Sequence, residues 1–197
     1  MIISISGPDG SGKTTLAGRL YKELLSKKRK VIYIHISRYF LLEPLFKAVR
    51  KTDSRGYNVK LDYKKRALWE QLLVVTTIID VWANYLYLRL LSLMRYVVVC
   101  DRYFYDRTVG YVLHGFLSER TARIYLKMIP RSDFGFLLMA SSQEVLVRET
   151  GYVHDKEFHM KLRGIYANLL RNTNLVPLPS SHNVTNLVEK CIKVVYE

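Results

Sequence analysis

The chain has little cysteine and little acid, and each shortage narrows what it can be. Only Cys100 and Cys191 occur among 197 residues, far apart, with no C-x-x-C or H-E-x-x-H spacing. That excludes a disulfide framework and a zinc site of the usual kind, and two buried thiols in a reducing compartment are expected. A chain of this length buries roughly 70% of its unfolded surface and needs no such staple. Internal repeats and Pro/Gly/Ser-rich linkers are missing as well, so one domain over residues 1–197 is expected. No clean membrane-length apolar run exists. The most apolar stretch, Leu72 to Leu91, is broken by Asp80 and Arg89 and holds Thr76, Thr77 and Asn84. It reads as a buried helix, with no membrane partner. The start of the chain shows no basic segment followed by an apolar one, and a cytoplasmic location is expected. Acid is scarce: 17 Asp and Glu face 31 Lys and Arg, for a net charge of +14. Such a balance favours anionic partners, nucleotides or nucleic acid. The charges are scattered, however, and the densest run, "KKRK" at 27–30, falls between a helix and a strand as a solvated turn.

What is present alternates between two periods. Apolar runs at 2–6, 31–36, 96–100, 134–140 and 175–178 predict strands, and the continuous "YVVVC" reads as a parallel strand buried on both faces. Leu16, Leu20 and Leu24 recur at helical spacing after Thr14, and further helices are expected near 43–50, 62–94, 104–117 and 119–129. The helix at 62–94 is apolar almost all round between Leu72 and Ile79, so it should be covered on most sides. Phe158, Leu162, Ile165, Tyr166 and Leu169 mark another helix, and Leu187, Val188, Cys191, Ile192 and Val195 a last one. Strands separated by helices throughout give βαβ units and a five-stranded parallel sheet, an α/β fold.

Between the first strand and the first helix stands "GPDGSGKTT", residues 7–15. Gly7, Gly12, Lys13 and Thr14 complete the pattern G-x-x-x-x-G-K-[ST] in the strand-then-helix context that gives it meaning. Glycine permits positive φ and close approach of the backbone, so successive N–H groups point at phosphate oxygens on the positive end of a helix. Lys13 reaches the β- and γ-phosphates and the Thr14 hydroxyl ligates Mg²⁺. The expected ligand is a nucleoside triphosphate, held by Gly7, Asp9, Gly10, Ser11, Gly12, Lys13, Thr14 and Thr15. No N-K-x-D stretch is present to read guanine, which argues against a GTP switch. Asp101 ends a buried strand and is the candidate second contributor to the magnesium shell, through a water. Arg102 beside it offers a forked, permanent cation for phosphate.

"GPDGSGKTT", "DRY" at 101–103 and "LLMASSQEVLVRE" leading into "DKEFHMKLRGIY" together resemble the thymidylate kinase family over nearly the whole chain. The resemblance implies the P-loop NTPase, nucleoside-monophosphate-kinase fold, with ATP and Mg²⁺ as donor and a nucleoside monophosphate, most often dTMP, as acceptor. It implies Asp9 near the acceptor's sugar, Arg38 and Arg102 at its phosphate with Tyr103 beside them, and Arg148 opening a lid near 148–157 that closes over ATP. Lys13, Asp9, Arg102 and Arg148 would then carry the catalysis. A homodimer through the long helix 62–94 is implied too. Three departures stand out. Asp106 holds the position of a family serine and Gly110 that of an aromatic, with Tyr111 one place late. Asp80 is followed by Val81 where the family has an arginine. The lid "RETGYVHDKE" holds a single arginine. A nucleoside or nucleic-acid 5′ end as acceptor, or an ATP-binding regulatory protein with little turnover, are the competing readings.

Overall fold

A computed structural model gives the structure over residues 1–36, 63–139, 156–171, 173–179 and 183–196. Five strands, β1 (Ile2–Ser6), β2 (Val31–His35), β3 (Val97–Asp101), β4 (Phe134–Met139) and β5 (Val176–Pro179), form one parallel sheet in the order β2-β3-β1-β4-β5. The inner strands β1 and β3 are buried at every position, as continuous apolar runs must be when helices cover both faces. Six helices accompany them among the described residues: α1 (Lys13–Ser26), α2 (Tyr63–Leu93), α3 (Phe104–Leu113), α4 (Glu119–Met128), α5 (Lys156–Leu170) and α6 (Val184–Tyr196).

Strand alternation divides the core in two. Ile3, Ile5 and Val99 meet Leu16, Leu20 and Leu24 of α1 and Leu187 and Cys191 of α6 on one face of the sheet. Ile2, Val98 and Cys100 meet α2, α3, α4 and α5 on the other. Both cysteines are buried free thiols. The β1–β3 register pairs Ile5 with Asp101, which brings the ends of the two central strands side by side at the crevice where an open parallel sheet binds ligands. The expected helix near 43–50, Arg38, and the lid with Arg148 lie outside the described residues, apart from the lid's last positions at the start of α5.

The expectation that the chain itself covers α2 on most sides is overturned. Leu73, Thr77, Asp80, Val81 and Leu88 are buried against the sheet, whereas Leu72, Val75, Ile79, Trp82, Leu86, Leu90 and Leu93 are 45–78% exposed. The reason is geometric: a 31-residue helix spans roughly 46 Å and overruns strands of four to six residues, so the sheet can cover only one face. Gln71–Leu93 is long and apolar enough to cross a membrane, with a third of that stretch buried. Some of its polar residues are nonetheless turned inward or tied to the start of β4. Asp80 and Thr77 are wholly buried, and Arg89 pairs with Asp133 at 2.7 Å while Asp133 also accepts the Ile2 N–H.

Candidate functional site

The glycine loop leaves β1 at Ser6 and enters α1 at Lys13. Gly7 has φ +150°, and a Cβ there would sit 2.2 Å from the Leu138 carbonyl oxygen of β4, so no side chain fits. Gly12 takes φ +92° at the N-cap of α1 and supplies no side-chain cap. The first N–H groups of a 14-residue helix are thus left open for an anion.

Lys13 is nearly buried at 4% exposure, and its Nζ donates to the Pro8 carbonyl at 2.6 Å and to Asp9 Oδ1 at 3.3 Å. Burial pulls its pKa below the ordinary lysine value, against the opposing pull of Asp9 and Asp106. Arg102 follows β3 with φ +68°, a left-handed conformation rare outside glycine, while its N–H bonds to the Ile5 carbonyl. From there Nη2 reaches the same Asp9 Oδ1 at 2.6 Å. One carboxylate oxygen on the loop therefore gathers the two cations that the resemblance assigns to phosphates. Asp9 is 61% exposed, and an exposed pair is worth little in stability, so phosphate oxygens can take its place at small cost.

Asp101 is wholly buried. Its Oδ2 accepts from Thr14 Oγ1 at 2.9 Å, from the Tyr33 hydroxyl at 2.7 Å and from His35 Nδ1 at 2.8 Å. Its Oδ1 is buried with no hydrogen-bond partner among the described residues. Thr14 and Asp101 are hard oxygen donors, and the free Oδ1 can accept from a metal-bound water, so these residues fit magnesium. Among the described residues no three His, Cys, Asp or Glu cluster as a ready-made cage. That suits an ion that keeps its waters and arrives on substrate phosphates. Burial and Asp101 push the Tyr33 phenol well above its usual range, which keeps it a donor.

Asp9 and Asp101 share a sign. Burial raises both carboxyls, but the Lys13 and Arg102 charges at Asp9, and the hydrogen bonds from Tyr33, His35 and Thr14 at Asp101, outweigh it and hold both below 3.8. A carboxyl depressed on folding contributes stability above its unfolded value and loses it as pH falls through the folded one. The melting temperature should therefore drop as pH falls below about 4, through these two groups, and stay flat for them at neutral pH. Thermal melts from pH 3 to 7 check this, with Asp101→Asn expected to flatten the acid limb more than Asp9→Asn because Asp9 is screened.

Asp106, at the family's serine position, is a structural hub. It is 8% exposed; Oδ1 accepts from Gly7 N–H at 2.9 Å and lies 2.7 Å from the Tyr166 hydroxyl, while Oδ2 accepts from Tyr103 N–H at 2.9 Å. The Tyr166 hydroxyl also sits 2.8 Å from the Gly7 carbonyl, one proton facing two acceptors. Loop, α3 and α5 are thereby tied at one carboxylate.

Two further departures find explanations, and one expected contact is corrected. No arginine follows Asp80; its buried carboxylate is met from α3, where Arg107 Nη1 donates to Oδ2 at 3.0 Å, while Val81 packs in the core. Tyr111 does not replace the aromatic expected at 110, since one helical position rotates it by about 100° and into the core, at 7% exposure. Tyr103 was expected beside the acceptor, but its side chain is wholly buried against Phe104 and its hydroxyl donates to the Pro130 carbonyl. Only its backbone faces the loop network. Sequence reading also missed the roles of Tyr33 and His35, which carry no motif, and of Tyr166, which it placed only on a helix face.

A parallel sheet in this order, with a glycine loop running from β1 into the open end of α1, defines the P-loop NTPase fold class. No protein-family model matches the chain. It is 24% identical over 98% of its length to a protein named "Probable thymidylate kinase" from Sulfurisphaera tokodaii, covering 94% of that protein. It is 23% identical over 99% of its length to a protein of the same name from Sulfolobus acidocaldarius, covering 96% of it.

Proposed function

We propose that the chain transfers the γ-phosphoryl group of ATP to a nucleoside monophosphate, with dTMP the first candidate. The observation that carries this reading is the convergence of Lys13 and Arg102 on one exposed oxygen of Asp9, at the open N-terminus of α1 and beside Thr14 and Asp101. The loop Gly7, Gly10, Ser11, Gly12, Lys13, Thr14 and Thr15 would hold the triphosphate. Lys13 would span its β- and γ-oxygens, and Arg102 would hold the acceptor phosphate in line. An acceptor phosphate oxygen attacks the γ-phosphorus, the bond to the β–γ bridging oxygen breaks, and ADP leaves with that oxygen. Such transfer is mostly positioning and charge neutralisation, which is what this set of groups offers. Magnesium held by Thr14 and Asp101 would neutralise charge on the β- and γ-oxygens. By the resemblance, Arg38 would add to the acceptor site, and Arg148 on a lid at 148–157 would close over ATP. The similarity over nearly the full length to two proteins named "Probable thymidylate kinase" supports the acceptor class.

A coupled ADP-release assay with ATP and Mg²⁺ tests it against dTMP, dUMP, UMP, CMP, AMP, GMP, thymidine and a 5′-hydroxyl oligonucleotide. The highest kcat/KM with dTMP is expected. Another acceptor in first place would move the specificity to the altered stretch 106–111, and silence across the panel would leave a nucleotide-binding regulator.

The same reading makes the protein a cytoplasmic homodimer, built as a single domain. The exposed stripe of α2 recurs at three- and four-residue steps, with Ile124 and Met128 of α4 exposed and Trp82 bonded to the Met128 carbonyl. A helix seam of that spacing fits a second copy of itself. Light scattering should give twice the chain mass, and Ile79→Lys with Leu86→Lys should give the monomer. Sedimentation of the parent with lipid vesicles instead would assign the stripe to a membrane.

A further inference from the structure

We infer that Tyr33 and His35 are positioning residues for the Asp101 carboxylate: they hold it in the one orientation that leaves Oδ1 for a metal-borne water, and so set the affinity of the nucleotide-bound divalent cation. The inference rests on the reading above that Thr14 and Asp101 hold that cation.

The bonding of Asp101 is lopsided. Three donors meet Oδ2 within 2.7–2.9 Å, while Oδ1, equally buried, has none among the described residues. A carboxylate oxygen presents about two lone-pair sites, so Oδ2 is saturated and only Oδ1 keeps acceptor capacity. The Thr14 hydroxyl alone would not produce this. The terminal torsion of an aspartate is soft, and one donor leaves the carboxylate free to swing and exchange its oxygens. Two more donors, arriving from a different element, remove that freedom.

β2 is built to deliver them. Tyr33 and His35 are two residues apart on a strand and so project from the same face. The β2–β3 register pairs His35 directly with Asp101. The Tyr33 ring is itself held, edge-on against Tyr21 of α1 at 6.1 Å between centroids. Because a carboxylate only accepts, His35 must donate from Nδ1, which assigns the proton to that nitrogen. Groups that orient a ligand in this way typically control metal affinity by about 10–100-fold.

The test uses the full chain saturated with a non-hydrolysable ATP analogue and Mn²⁺ as the probe, with free Mn²⁺ read by electron paramagnetic resonance. Tyr33→Phe keeps the ring and its packing and removes only the hydroxyl. It should weaken Mn²⁺ binding several-fold, and Tyr33→Phe combined with His35→Leu should weaken it by about 10–100-fold. His35→Asn, which can still donate, should recover part of what His35→Leu loses. In turnover, the half-saturating Mg²⁺ should rise while kcat at saturating Mg²⁺ is largely kept, a split that general destabilisation would not give. Unchanged or tighter Mn²⁺ binding in Tyr33→Phe and in the double variant, with analogue binding intact, would overturn the inference and leave the metal assignment standing. Unchanged Mn²⁺ affinity in Asp101→Asn would instead remove the metal assignment, and the inference with it.

Discussion

Lys13→Met should cut phosphoryl transfer by about 10³-fold and leave the ligand-free protein close to its parent in thermal stability. The two halves have different causes. In the proposed transfer, Lys13 would be the cation that meets charge on the β- and γ-oxygens from inside the loop, and losing one preorganised donor of that kind costs about 10²–10³ in rate or more. In the ligand-free fold, its ammonium is nearly buried and, among the described residues, satisfied only by the Pro8 carbonyl and a long contact to Asp9. Methionine fills a similar volume and removes the desolvated charge, while the Pro8 carbonyl loses a donor, about 1 kcal/mol. These terms oppose one another, and Asp9 keeps Arg102. Melting curves with and without ATP separate the halves: both proteins should melt within a few degrees of each other alone, and only the parent should rise with ATP. Turnover of Lys13→Met within tenfold of the parent would sink the phosphate assignment.

The largest loss of stability is expected from Asp106→Ala. The substitution strips the acceptor from the Gly7 and Tyr103 N–H groups and leaves Tyr166 with the Gly7 carbonyl alone. Buried polar groups left unpaired cost about 1–3 kcal/mol each, which places the total near 3–5 kcal/mol. In a chain of this size that lowers the melting temperature by roughly 6–20 °C. Asp106→Asn, which keeps an accepting oxygen, should lose less. The loop's first amide would also exchange its hydrogen faster, since Asp106 is the group that holds it. A melting temperature for Asp106→Ala within 2 °C of the parent, or unchanged exchange at Gly7, would show that this carboxylate does not hold the loop.

Both variants touch the same loop, yet only one of them was legible. Gly7, Gly12, Lys13 and Thr14 can be found in the chain because their chemistry is local. Their spacing encodes one turn from a strand into a helix, and under the proposed function an anion would be met by backbone groups of that turn. Asp101 is legible for a related reason, as a carboxylate closing a run of valines that can only be an inner strand. Asp106 was noticed only as a misfit at a serine position. One partner, three residues away, sits at the capping-box spacing at the start of α3, but the other two lie 99 and 60 residues away and no spacing rule reaches them. Tyr33 and His35 reach Asp101 from 68 and 66 residues away for the same reason.

The sequence by itself determined the alternation of strands and helices, the parallel sheet and the place of the glycine loop, because hydrophobic period and glycine spacing act within a few residues. Tertiary structure alone decided that the rest of the described chain covers only one face of α2, that Tyr103 and Tyr111 belong to the core, and that Arg107 supplies the guanidinium that meets Asp80. It also decided that a β2 tyrosine and histidine hold the Asp101 carboxylate. Each of those outcomes depends on which strand ends are brought side by side, and register between strands that lie tens of residues apart is a property of the packed sheet.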